Sequence, residues 1–145
     1  MRKIEHLGIA VRDLEASKRL FSRLLGMNSY KDEKVEGEGV NTAFFMVGET
    51  KVELLEATHP NSPIAKFIEK KSEGIHHIAF DVADIWEEVK RLKEQGFEIL
   101  NEEPKEGADN KLVVFLHPRS TNGVLVELCQ DRGTGGTKGL KDEGT

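Results

Sequence analysis

Leu7, Ile9 and Val11 alternate with His6, Gly8 and Ala10. A period of two with one bulky face predicts a strand. The period then lengthens. Asp13 precedes Leu14, Phe21, Leu24 and Leu25, which recur at helical spacing until Gly26; an aspartate N-cap and a glycine stop frame one helix. A similar passage comes later, where Asp84 and Glu87 make a capping box, Ile85, Val89 and Leu92 line a face, and Gly96 closes the helix. Between them, Ser62-Pro63 starts a short helix through Ile64, Phe67 and Ile68 that ends in the charged run 69–73. Further strands are expected at 41–47, 51–57, 98–101, 112–117 and 123–130.

The two passages are copies. Shifting the sequence by 71 positions lays Ile4 on Ile75, His6 on His77, Val11 on Val82 and Asp13 on Asp84, with most residues between them conservatively matched. Val52-Glu53-Leu54 matches Val126-Glu127-Leu128 at an offset of 74, nearly co-linear with the first match. Each half therefore reads as a strand carrying His, a helix, further strands and a closing strand carrying Glu. The expected fold class is α+β: two tandem βαβββ modules forming a curved eight-stranded mixed sheet around a metal-binding cleft. One domain covers 1–130, with repeat one at about 1–60, a connecting helix at about 62–72 and repeat two at about 74–130. From 131 to 145, five of fifteen residues are Gly and only Leu140 is bulky and apolar, so this tail is expected to be disordered.

Alternation fixes which side chains face inward. If Leu7, Ile9 and Val11 face the helices, then His6, Gly8 and Ala10 face the hollow. On the repeated strand His76, Ile78, Phe80 and Val82 share the helix side, leaving His77, Ala79 and Asp81 inside. Glu53 lies opposite Val52 and Leu54, and Glu127 opposite Val126 and Leu128. Two His and two Glu thus converge on one cavity beside small residues. A lone strand His is ordinarily a packed core residue, and a lone inward Glu needs a partner. Four of them at symmetric positions make a mixed nitrogen and oxygen site for one divalent ion per chain, the sequence not distinguishing cobalt, zinc, manganese or nickel. His76 reads as structural, His59 and His117 as turn residues before proline, and Cys129 as a small core residue.

Composition narrows the setting. The 145 residues carry 21 Lys+Arg against 26 Asp+Glu, a net charge of -5, and no uncompensated basic run points to nucleic acid. No apolar stretch approaches the length of a membrane span. The single cysteine leaves no intramolecular disulfide. The start Met-Arg-Lys-Ile-Glu-His has no apolar signal core, and the expectation is a soluble, cytoplasmic protein.

The duplicated halves, with His on first strands and Glu on last strands, resemble the vicinal oxygen chelate superfamily, which includes glyoxalase I, from about Ile4 to Gln130. Within it the closer resemblance is to the methylmalonyl-CoA epimerases. It is carried by His6-Leu7-Gly8-Ile9-Ala10-Val11, by Asn61-Ser62-Pro63-Ile64-Ala65-Lys66-Phe67, by Gly74-Ile75-His76-His77-Ile78-Ala79-Phe80, and by Phe115-Leu116-His117-Pro118-Arg119 running into Gly123-Val124-Leu125-Val126-Glu127-Leu128. The first and third segments mark the superfamily broadly; the other two are particular to the epimerases.

The resemblance implies metal ligation by His6, His77 and Glu127, with Glu53 at the fourth position. It implies interconversion of (R)- and (S)-methylmalonyl-CoA by proton transfer at C2, an acyl-CoA substrate and a homodimer. Glu127 is the expected acid/base group. Glu53, a metal-bound water or another carboxylate is the second. Thr42 stands where some epimerases carry an acid/base Glu, and a hydroxyl is a poor proton acceptor at neutral pH. Lys66, Lys70, Lys71 and Arg119 are candidates to meet the anionic CoA. The alternatives are a glyoxalase I-like lactoylglutathione lyase, an extradiol-type dioxygenase, and a metal-free small-molecule binding protein of the same fold.

Overall fold

The computed structural model describes residues 1–133. The elements run β1 (Lys3–Ala10), α1 (Leu14–Leu25), β2 (Lys31–Val35), β3 (Val40–Val47), β4 (Thr50–Ala57), α2 (Pro63–Lys71), β5 (Gly74–Asp81), α3 (Ile85–Glu94), β6 (Lys105–Gly107), β7 (Lys111–Leu116) and β8 (Val126–Asp131). The series is βαβββ twice, joined by α2. The fold class is α+β, with an eight-stranded mixed sheet in the order β2-β3-β4-β1-β5-β8-β7-β6. Among the described residues no helix is long and apolar enough to cross a membrane.

The chain divides into two compact units, Ile4–Ala79 and a second made of Met1–Lys3 with the chain from Phe80 onward. In the first, β1 runs parallel to β4, with Gly8 opposite Glu53 and His6 opposite Lys51. β3 is antiparallel to β4 and to β2. Asp13 caps α1 by accepting from the Ala16 N–H, and Gly26 ends it at φ 70°. Ile9, Val11, Leu14, Phe21 and Leu25 pack with Ala43, Phe45, Val52 and Leu54 as the core. Leu24, expected on that face, is 70% exposed instead. In α2, Ser62 accepts from the Ala65 N–H, Pro63 opens the helix, and Ile64 is buried.

In the second unit, Asp84 accepts from the Glu87 N–H at the start of α3. Val82, Ile85, Val89 and Leu92 pack on Val114, Leu116, Val126 and Leu128. β7 pairs antiparallel with β6 and β8. Residues 98–101, expected as a strand, make only an isolated bridge from Ile99 to Leu116. Asn101 replaces part of the ladder there: its Oδ1 accepts from the Phe115 N–H at 2.9 Å and its Nδ2 donates to the Val113 carbonyl at 3.1 Å. Residue 131, expected to begin the tail, belongs to a strand instead. Asp131 ends β8, and its carboxylate accepts from the Gly133 N–H. The rest of the tail, 134–145, lies outside the described residues.

Candidate metal centre

Strand parity sets the site. Ile9 and Val11 belong to the core under α1, so His6, Gly8 and Ala10 point to the opposite face of β1. Val52 and Leu54 join the same core, which turns Glu53 to the face of His6. His77 is the buried histidine of β5. His6, His77 and Glu53 are 4%, 6% and 3% exposed. The first unit therefore brings the two expected histidine ligands together, with Glu53 buried on the same face.

Their spacing is informative. His6 Nε2 and His77 Nε2 are 3.0 Å apart, and the rings meet edge to face at 87°. Two nitrogens bound in neighbouring octahedral positions at about 2.1 Å would stand about 3.0 Å apart, so the pair fits a cation as well as it fits a hydrogen bond. Gly8 makes this approach possible. A Cβ there would lie 2.2 Å from His77 Cε1, which only glycine avoids. Two imidazoles with a neighbouring carboxylate suit a borderline divalent ion. Glu53 Oε2 stands 3.2 Å from His6 Nδ1, at the other ring nitrogen from the one that meets His77.

Each histidine is held from behind. His6 Nδ1 lies 2.6 Å from Glu5 Oε1, and Lys51 Nζ lies 2.6 Å from Glu5 Oε2. Burial alone would raise the Glu5 carboxyl, but the hydrogen bonds and charges of His6 and Lys51 outweigh it and bring its pKa from 4.5 to about 2. An ionised carboxylate only accepts, so His6 carries its proton on Nδ1 and presents a lone pair at Nε2. His77 Nδ1 stands 2.9 Å from His76 Nδ1, and the His76 ring meets Phe67 of α2 edge-on at 5.0 Å. For His77 to turn its Nε2 lone pair to a cation, its proton must sit on Nδ1 and be donated to His76. Sequence reasoning missed Glu5, Lys51 and this duty of His76. One signal was present, since Glu5 and His76 are equivalent under the 71-residue shift.

The other expected residues fall as follows. Glu127 lies on β8 of the second unit, 5% exposed and opposite Phe115 in register. Val126 and Leu128 enter the α3 core, so Glu127 and Cys129 share the opposite face. Cys129 is buried, with Sγ 3.7 Å from the Phe80 carbonyl. Thr42 pairs with Leu55 in register, and so shares the face of Glu53. It is fully buried, and its hydroxyl has no hydrogen-bond partner among the described residues. Lys66, Lys70 and Lys71 are exposed on α2, while Arg119 is held by Glu98 through two bonds of 2.7 and 3.0 Å. His117 caps a turn by accepting from the Arg119 N–H, and His59 sits in the turn before α2.

Comparison with known proteins gives this geometry its family. Residues 5–115 match the glyoxalase/bleomycin resistance protein/dioxygenase superfamily model. The chain is 40% identical to the protein YqjC of Bacillus subtilis, over 92% of this chain and 95% of that one. It is 44% identical to the ethylmalonyl-CoA/methylmalonyl-CoA epimerase of Cereibacter sphaeroides, over 88% of this chain and 97% of the relative. Among solved structures, a variant of the Streptomyces coelicolor methylmalonyl-CoA epimerase in complex with 2-nitronate-propionyl-CoA superposes with a TM-score of 0.88 at 31% identity, covering 96% of this chain and 99% of that chain. The chain belongs to the glyoxalase/bleomycin resistance protein/dioxygenase superfamily and, within it, to the methylmalonyl-CoA epimerase family.

Proposed function

We propose that the chain is a metal-dependent epimerase interconverting (R)- and (S)-methylmalonyl-CoA, acting as a cytoplasmic homodimer with one divalent ion per chain. The observation that carries this reading is the 3.0 Å approach of His6 Nε2 and His77 Nε2, in a chain whose named relatives include methylmalonyl-CoA epimerases. His6 and His77 hold the ion through Nε2. Glu53 and Glu127, equivalent residues of the two repeats, supply carboxylate oxygens. When bound, the ion supplies positive charge where the thioester oxygen becomes negative as C2 loses its proton.

The remaining work falls to the chain. Inversion at C2 needs a proton removed on one face and returned on the other. Glu127 takes the first role and Glu53 the second. Thr42 does neither, because a hydroxyl cannot accept a proton at neutral pH. Gly8 leaves beside His6 the space that the His77 ring takes up, and the lysines of α2 suit the anionic CoA.

A substrate panel tests this. Purified protein is offered methylmalonyl-CoA, the glutathione hemithioacetal of methylglyoxal, and catechol. Epimerisation of methylmalonyl-CoA that a chelator abolishes and a divalent ion restores is expected, with about one ion per chain by metal analysis and a dimer mass by light scattering. Turnover of the hemithioacetal alone, or activity untouched by complete metal removal, would overturn it.

A further inference from the structure

Behind His6 runs a line of contacts through Glu5 to Lys51, two residues that the proposed reaction does not use directly. Lys51 Nζ donates to Glu5 Oε2 at 2.6 Å, and His6 Nδ1 donates to Glu5 Oε1 at 2.6 Å. All three side chains are buried, at 6%, 4% and 4% exposure. Burying a lysine and a glutamate together carries a desolvation cost that their mutual attraction must offset. Their placement gives the pair a use. His6 Nδ1 also has Glu53 Oε2 at 3.2 Å. By accepting the ring proton at the shorter distance, Glu5 serves as the anchor of the ring in place of Glu53.

We propose that Lys51 and Glu5 are positioning residues: Lys51 holds the Glu5 carboxylate, which locks His6 with its proton on Nδ1 and aims its Nε2 lone pair toward His77. The repeat supports this assignment. His76, one shift of 71 residues from Glu5, stands behind His77 in the same way, Nδ1 to Nδ1 at 2.9 Å. The first histidine is thus backed by a carboxylate and the second by another imidazole. A carboxylate behind a ligating imidazole fixes its tautomer and raises its basicity. His6 is therefore the stronger donor of the two. The part about ligation rests on the metal reading above; the part about the tautomer does not.

The test uses the double variant Glu5→Leu/Lys51→Met, which removes the two charges of this pair together, so that neither is left buried without the other. Histidine-labelled, metal-free wild type is measured by long-range proton–nitrogen NMR. His6 should be protonated at Nδ1, with a far-downfield signal from its short bond to Glu5, and the double variant should lose that signal. Titrated with Co(II), the double variant should bind about 10–100-fold more weakly than wild type, while its metal-free melting temperature stays close to wild type. A merely structural pair would give the reverse, a lowered melting temperature with unchanged Co(II) affinity. His6 protonated at Nε2 in the wild type would overturn the proposal even if the variant does not fold, and so would wild-type affinity in a folded variant. Wild type that binds no Co(II) at all would instead contradict the metal reading, with the tautomer measurement still deciding this one.

Discussion

Gly8 and His77 are in such close contact that a Cβ on the glycine would stand 2.2 Å from His77 Cε1 and 2.7 Å from its Nε2. The imidazole lies where the side chain of any other residue would go. Gly8→Ala should therefore push the His77 ring off its 3.0 Å approach to His6. Weakening of Co(II) binding by at least the 10–100-fold typical of a lost supporting contact is expected, with the far-ultraviolet circular dichroism unchanged. Wild-type affinity in Gly8→Ala would mean that the ring position has no bearing on the metal.

Acid should loosen the fold through Glu5. Its pKa is about 2 in the folded chain against an ordinary 4.5, so folding favours the ionised form. That stabilisation is complete above about pH 4.5 and is lost as the pH falls toward about 2. Urea unfolding at about pH 5 and about pH 3 should show a drop in wild type that is smaller in Glu5→Gln. Equal drops in the two proteins would assign the acid sensitivity to other carboxylates.

Thr42→Val should keep catalysis and gain stability. The Thr42 hydroxyl is buried without a hydrogen-bond partner among the described residues, and such a group costs about 1–3 kcal/mol. Replacing it with a methyl group of similar size should raise the unfolding free energy by about 1 kcal/mol and change turnover less than twofold. A large loss of turnover would show the hydroxyl meeting the substrate.

The inward facing of the two histidines and the two glutamates was legible because the repeat and the alternation of strands constrain it twice over. Both first-strand histidines, the capped helices and the closing strands follow from residues whose neighbours share one period. β2 (Lys31–Val35) escaped notice because it is Lys-Asp-Glu-Lys-Val, with no apolar alternation. It is an edge strand paired only with β3, where charge blocks further pairing and no buried face is required. β6 at the other edge is three residues long for the same reason. Glu5 and Lys51 were not legible either. Neighbouring strand residues ordinarily face opposite ways, so burial of both Glu5 and His6 has no periodic signature. A lysine near a strand start reads as solvated until its partner is placed.

Proton exchange at C2 of methylmalonyl-CoA in heavy water, followed by NMR for wild type and for Glu127→Gln loaded with excess metal, bears most directly on the proposed reaction. A glutamine oxygen can still coordinate a cation but cannot accept a proton, so the substitution separates the two roles given to Glu127. Wild type should wash deuterium into C2 on the timescale of turnover. Metal-loaded Glu127→Gln should exchange about 10²–10⁴-fold more slowly, the usual worth of a positioned acid/base group. Near-normal exchange in that variant would contradict proton transfer by Glu127, and its failure to retain metal would show ligation to be the larger of its roles.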